Sequence, residues 1–263
     1  MTNSVELTKH NGIAHVTINR PEKHNAFDDK IIKQMTQAFE NIDLDNSIRV
    51  MVLASNGKSF SAGADLAWMK RMAKYSYEEN LVDAKALATM LKALNNLSKP
   101  SIVKIQGAAF GGAVGLVSCC DIAIASTRAS FCLSEVKIGL IPATISPYVV
   151  SAIGPRAARR LFITAERFSA QTAQSLNLVS EVCEHEQLDA RLTQMIETIC
   201  ANSPAAITSA KQLVRDINGM PIDEALIEDT STRIAEIRTS PEGQEGLSAF
   251  LEKRTPSWVK PSE

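Results

Sequence analysis

Two runs of small residues, at positions 59–66 and 107–113, constrain the fold of this chain more than any other feature. Each run follows a short apolar stretch, residues 50–54 or 101–105, which is typical of a strand covered on both faces. Each run also opens a predicted helix, whose first N–H groups have no partner within the helix. Taken singly, each run is most simply a tight turn that needs glycine. Taken together, they predict two turns whose backbone N–H groups bind one developing oxyanion.

Strands alternate with helices over the first part of the chain. The apolar positions Ala14, Val16 and Ile18 predict a half-buried strand. Asp28 is the expected N-cap of a helix whose apolar positions extend to Ile42. From about residue 186 onward only helices are predicted. Further helices are predicted over residues 78–97, 155–163 and 169–176, and further strands over residues 121–125 and 178–182.

Charge and composition exclude several classes of protein. The chain has 28 basic and 29 acidic residues, a net charge of −1, which argues against nucleic acid or an anionic membrane as a partner. It contains no apolar run of about 18 residues, the length that could span a bilayer. The N-terminal sequence shows no targeting signal, so a cytoplasmic location is expected.

Cysteine and histidine give no sign of a metal centre. The five cysteines include no C-x-x-C pair, and the four histidines show no metal-ligand spacing. Reduced thiols and no bound metal are therefore expected.

Five ordered motifs resemble the crotonase (enoyl-CoA hydratase/isomerase) superfamily. The strings F-S-A-G-A-D and Q-G-A-A-F-G-G-A are followed by S-E-V-K-I-G-L-I-P, and flanking motifs extend the resemblance over nearly the whole chain. The resemblance implies an α/β fold, a crotonase-type spiral of β-β-α units with a helical C-terminal region. It implies a spiral core over residues 1–200 and a trimerisation region over residues 201–263, in a homotrimer or a dimer of trimers.

The resemblance also assigns catalytic roles. The backbone N–H groups of Ala64 and Gly112 would form the oxyanion hole for a thioester carbonyl. Glu135 would be the acid/base carboxylate. The implied activity is that of a hydro-lyase on an acyl-CoA thioester, and no further cofactor is expected.

Other positions would contact coenzyme A or the acyl group. The resemblance places Ala62, Asp65 and Leu66 along the adenine and pantetheine path. Arg71 and Gly115 are expected at the acyl pocket from their positions on the two helices, and Trp68 is expected either there or in the core. Three basic residues are expected near the phosphates: Arg20, Lys23 and Lys58. The plainer interpretation of each is an ordinary solvated side chain.

One position departs from the hydratase pattern. Hydratases of the family usually carry a second glutamate where this chain has Gly115, so we expect Gly115 to leave room for substrate or water. A single carboxylate also suits proton transfer between C2 and C4, which is isomerase chemistry.

A subgroup resemblance favours hydration nevertheless. The same segments resemble bacterial methylglutaconyl-CoA hydratases and, similarly, carboxygeranoyl-CoA hydratases. We therefore expect conversion of 3-methylglutaconyl-CoA to 3-hydroxy-3-methylglutaryl-CoA in leucine and isovalerate breakdown, with Lys70 or Arg71 holding the distal carboxylate. The alternatives are a Δ3,Δ2-enoyl-CoA isomerase, a carboxygeranoyl-CoA hydratase and an acyl-CoA-binding protein without catalysis.

Overall fold

A computed structural model describes residues 4–259 of the chain. The chain forms two compact units. Of the described residues, the first comprises 4–97 and 101–193, and the second comprises 98–100 and 194–259. No helix within residues 4–259 is both long enough and apolar enough to cross a membrane.

Strands and helices alternate along the first unit, as the sequence predicts. The strands are β1 (Val5–His10), β2 (Ile13–Ile18), β3 (Val50–Ser55), β4 (Ser101–Ile105), β5 (Ala109–Phe110), β6 (Ile122–Ser126), β7 (Ser130–Cys132), β8 (Phe168–Ser169) and β9 (Glu181–Cys183). Over both units, the helices are α1 (Asp29–Leu44), α2 (Leu66–Met72), α3 (Tyr77–Asn95), α4 (Gly112–Cys119), α5 (Ser146–Thr164), α6 (Ala170–Ser175), α7 (Leu188–Cys200), α8 (Pro204–Ile217), α9 (Glu224–Thr239) and α10 (Pro241–Glu252). Single 3-10 turns span Pro21–Lys23, Glu135–Ile138 and His185–Gln187.

A six-stranded sheet forms the centre of the first unit, in the order β1-β2-β3-β4-β6-β9. Strands β1 and β2 pair antiparallel, and the other neighbours are parallel. Every residue of β3 is buried, as its continuous apolar run predicts. Parallel strands end at the same edge of a sheet, so the segments that follow β3 and β4 begin side by side.

Helix α1 shows how local sequence sets an element. Its buried positions recur at helical spacing, and they include Ile31, Met35 and Phe39. The Asp28 carboxylate accepts hydrogen bonds from the N–H groups of Lys30 and Ile31, both at 3.1 Å, so the predicted N-cap is confirmed.

A second, three-stranded sheet has the order β5-β7-β8. Its strands are two or three residues long, and the sequence analysis did not identify them. Phe131 of β7 stacks on Phe168 of β8 with ring centroids 5.5 Å apart. This small sheet fixes the segment that leads into Glu135.

Two further boundaries differ from the prediction. The last strand is Glu181–Cys183 rather than residues 178–182. The helix predicted over residues 155–163 is the second half of α5, which is broken where Gly154 adopts a φ of 74° before Pro155.

The second unit contains the end of α7 and the helices α8, α9 and α10. Pro241 opens the last helix, and Ser240 caps it by accepting the N–H of Gly243. Trp258 follows this helix, and its indole N–H donates to the Ala201 carbonyl at 3.1 Å. This bond ties the end of the described chain to the segment between α7 and α8.

Candidate active site

The two runs of small residues lie against each other. The N–H of Ser61 donates to the Ala108 carbonyl at 3.0 Å, and the N–H of Phe110 donates to the Ser61 carbonyl at 3.0 Å. Gly63 has a φ of 86°, and a methyl group built on it would lie 2.7 Å from the Phe110 carbonyl oxygen. The approach of the two backbones therefore requires glycine at this position.

The two predicted oxyanion donors are among the N–H groups at this junction that have no acceptor within residues 4–259. On either side of Ala64, Phe27 donates to the Gly63 carbonyl at 2.9 Å, and Asp65 donates to the Phe27 carbonyl at 3.0 Å. The N–H of Ala64 itself is unengaged, and so is that of Gly112, the first residue of α4. The structure thus brings the two predicted oxyanion donors together, and no other group of the described chain occupies them.

Glu135 lies beside this junction. It begins the 3-10 turn after β7, and a methyl group built on Gly111 would lie 3.3 Å from its Oε1 atom. Its Oε2 atom is buried and has no hydrogen-bond partner in the described part of the chain. Burial raises the pKa of Glu135, and its own backbone N–H offsets this only in part. A carboxylate in this state is suited to accept and return a proton.

Asp65 has a structural role, and its expected contact with coenzyme A stays a prediction. Its side chain is buried and accepts the N–H groups of Ala67 and Trp68, which caps α2. It also forms ion pairs with Arg20 at 3.3 Å and Lys23 at 3.2 Å. Burial opposes ionisation, but the bonds from Trp68 and Lys23 outweigh it and lower the pKa of Asp65.

Arg20 likewise has a structural role. Its side chain is only 13% exposed, and it donates to the Ala26 carbonyl and pairs with Asp28 as well as Asp65. The expectation that Arg20 contacts a phosphate therefore conflicts with its surroundings. Lys23 is 48% exposed and Lys58 is exposed, so both remain accessible to an anion.

Two of the residues expected along the coenzyme path are open to solvent. Ala62 is exposed, and Leu66 is 75% exposed at the start of α2. Their exposure beside the N–H of Ala64 is compatible with an extended ligand.

The predicted acyl-pocket residues of α2 make contacts within the protein. Trp68 is 3% exposed, and its indole donates to Asp83 of α3 at 3.2 Å. Arg71 forms an ion pair with Asp29 of α1. Lys70 lies about 200° around the helix from buried Trp68 and is exposed. These placements argue against either cation as the receptor of a distal carboxylate.

Gly115 does not leave the expected room. A methyl group built on it would lie 2.3 Å from Cγ2 of Ile145 and 3.5 Å from Cδ2 of Leu91. Ile145 is 1% exposed and fills the space that a side chain at position 115 would need. The expectation of an open space at Gly115 is therefore wrong.

The sequence analysis missed two residues of this region, Ile145 and Asp83. Ile145 lies ten residues after Glu135, in a loop without periodicity that ends at α5. Asp83 is one of three acidic residues on α3, and nothing in the sequence distinguishes it from Glu78 and Glu79. Neither had a local signal, because the partner of each is distant in sequence.

Comparison with known proteins identifies relatives of this architecture. The Enoyl-CoA hydratase/isomerase family matches residues 8–261. The short-chain-enoyl-CoA hydratase of Clostridium acetobutylicum is 31% identical over 258 residues, which cover 96% of each chain. The 2,3-dehydroadipyl-CoA hydratase of Escherichia coli is 31% identical over 245 residues, covering 92% of this chain and 93% of the relative. The crystal structure of an enoyl-CoA hydratase from Shewanella pealeana has a TM-score of 0.94 at 48% identity, covering 97% of this chain and 96% of that one.

The buried carboxylate predicts a pH-dependent effect on stability. Because burial raises the pKa of Glu135, ionising it costs stability as the pH rises through the folded-state value, and this cost is absent below the unfolded-state value of about 4.3. Glu135→Gln should therefore raise the melting temperature more at pH 7 than at pH 4. Each kcal/mol gained in the free energy of unfolding corresponds to about 2–4 °C. Thermal unfolding followed by circular dichroism measures the melting temperature at each pH.

The exposed Glu40 provides the matched control. Glu40→Gln should show the same change in melting temperature at both pH values. An equal effect of Glu135→Gln at pH 4 and pH 7 would contradict the assignment of a buried, ionising carboxylate.

Proposed function

The chain belongs to the enoyl-CoA hydratase/isomerase family, and we propose that it hydrates the branched thioester 3-methylglutaconyl-CoA to 3-hydroxy-3-methylglutaryl-CoA. One observation carries the proposal: the buried Oε2 of Glu135 has no partner among residues 4–259, and the same carboxylate lies against Gly111, next to the unengaged N–H of Gly112. This arrangement supplies a proton carrier and an oxyanion site in one place.

The first step of the proposed reaction polarises the thioester. The N–H groups of Ala64 and Gly112 donate to the carbonyl oxygen of the substrate. As water adds, negative charge collects on that oxygen, and the donors stabilise the enolate more than they stabilise the ground state.

Glu135 performs the proton transfers of the proposed reaction. Its carboxylate accepts a proton from water while the water oxygen bonds to C3, and the electrons of the C2=C3 bond move into the enolate. The carboxylic acid then returns the proton to C2, which regenerates the carboxylate. One carboxylate thus completes a balanced addition of water.

The coenzyme would lie along the exposed side of the turn that contains Ala64. Ala62 and Leu66 are exposed there, and they would contact the adenine and pantetheine parts. Lys23 and Lys58 would bind phosphate oxygens, because both side chains are exposed. The thioester is the substrate, and the proposed reaction uses no other cofactor.

A specific observation favours a second candidate, a Δ3,Δ2-enoyl-CoA isomerase. Ile145 fills the space beside Gly115, so no second carboxylate can be accommodated there. Proton transfer from C2 to C4 needs one base, and Glu135 could act as that base.

The choice of acyl group rests on resemblance. A relative from Escherichia coli is named for a dehydroadipyl thioester, whose acyl group ends in a carboxylate. The subgroup resemblance supports the methylglutaconyl group and a place in leucine and isovalerate breakdown. A carboxygeranoyl thioester is the alternative of the same chemical class.

We also propose a homotrimer or a dimer of trimers, with residues 201–263 as the assembly region. Phe250 and Leu251 of α10 are 82% and 77% exposed, and exposed apolar residues of this size favour burial by another surface. A cytoplasmic location remains a prediction.

Steady-state kinetics over a panel of thioesters test the proposed function. The panel contains 3-methylglutaconyl-CoA, crotonyl-CoA and a 3-enoyl-CoA, and the first should have the highest kcat/KM. Glu135→Gln should lower kcat about 10²- to 10⁴-fold while binding of the thioester persists. Glu40→Gln is the control, and near wild-type turnover by Glu135→Gln would refute the assignment.

The packing of Gly115 predicts the outcome of restoring a second carboxylate. Gly115→Glu alone should collide with Ile145 and reduce the folded yield, since packed cores tolerate added volume poorly. Gly115→Glu combined with Ile145→Gly should raise crotonyl-CoA hydration above that of Ile145→Gly alone. Equal hydration by these two variants would show that position 115 does not face the reacting atoms.

The placement of Lys70 and Arg71 on α2 predicts that neither residue selects for a distal carboxylate on the substrate. Arg71→Met and Lys70→Met should each change kcat/KM for 3-methylglutaconyl-CoA and crotonyl-CoA by the same factor, because Arg71 is paired with Asp29 and Lys70 faces away from Trp68. A loss of about 10-fold or more on the carboxylated substrate alone would contradict this placement.

A further inference from the structure

Trp68 connects the turn that contains Ala64 to helix α3 through two hydrogen bonds. Its backbone N–H donates to Asp65 at 3.2 Å, directly after Ala64. Its indole N–H donates to Oδ1 of Asp83 at 3.2 Å. A short path of bonds therefore links a proposed oxyanion donor to a carboxylate on another helix.

We propose that Asp83 is a positioning residue, which holds α2 through the Trp68 indole and thereby orients the N–H of Ala64 toward the thioester oxygen. This inference rests on the proposed function, because it takes Ala64 as an oxyanion donor. Asp83 itself does not contact the substrate in this scheme.

Helix α2 depends on such external contacts. It has only seven residues, too few to be stable in isolation. Arg71 attaches it to Asp29 of α1, but these side chains are 47% and 48% exposed, so solvent screens their interaction. Trp68 is 3% exposed, and its bond to Asp83 is the better protected of the two. Asp83 therefore contributes more to the orientation of α2.

The surroundings of Asp83 are consistent with this role. Burial raises the pKa of Asp83, and the indole of Trp68 acts in the opposite direction. Asp29 repels its charge, whereas Arg71 attracts it. A partly buried carboxylate is costly without a hydrogen bond, and the indole supplies one.

A double-mutant cycle tests the proposal through turnover of the best thioester. Asp83→Ala should lower kcat about 10-fold with little change in KM, because a misdirected N–H affects the transition state more than binding. Asp83→Asn should retain most activity, since its amide oxygen still accepts the indole N–H. Trp68→Phe should reproduce the loss, and Asp83→Ala should add nothing further to Trp68→Phe.

Glu78→Ala is the matched control, because it removes an exposed acid from the same helix and leaves the bond between Trp68 and Asp83 in place. It should leave kcat unchanged. Equal losses in Asp83→Ala and Asp83→Asn, or additive losses in the double variant, would overturn the proposal.

Tryptophan emission provides a readout independent of turnover. The chain has two tryptophans, so Trp258→Phe leaves Trp68 as the only one. In that background, Asp83→Ala should shift the emission and increase quenching by acrylamide, while Asp83→Asn should not. Unchanged emission and quenching in Asp83→Ala would overturn the positioning role, whereas a wild-type protein inactive on every thioester would overturn the proposed function.

Discussion

The close approach of two backbone segments, residues 61–64 and 108–112, is the constraint on which the site depends. Hydrogen bonds between Ser61 and both Ala108 and Phe110 hold the segments together, and Gly63 leaves no space for a side chain against Phe110. The neighbouring groups are engaged by these bonds and by the bridge to Phe27. The N–H of Ala64 lies between these engaged groups and has no acceptor among residues 4–259.

Two carboxylates near this junction have opposite environments. Asp65 accepts two backbone N–H groups and pairs with Arg20 and Lys23, and its pKa is lowered. Glu135 has a buried oxygen without a partner in the described residues, and its pKa is raised. The first carboxylate is held in its ionised form and stabilises the fold. Burial favours the protonated form of the second, a shift in the direction that the proposed proton transfer uses.

Local periodicity explains which parts of the fold could be predicted. Helix α1 and strand β3 were recognisable because their apolar positions repeat over about six residues or more. Strands β5, β7 and β8 have two or three residues, too few to show a period. Motifs located the small-residue turns and Glu135. The ion pair between Arg20 and Asp65 could not be predicted, because it joins residues 45 positions apart.

The packing of Ile145 against Gly115 bears most directly on the proposed chemistry. A side chain at 115 and the branched side chain of Ile145 exclude each other, so this packing leaves no space for a glutamate at position 115. In the proposed reaction, Glu135 must then both take a proton from water and return one to C2. Transfer through a single carboxylate places the new C–O and C–H bonds on the same face of the substrate.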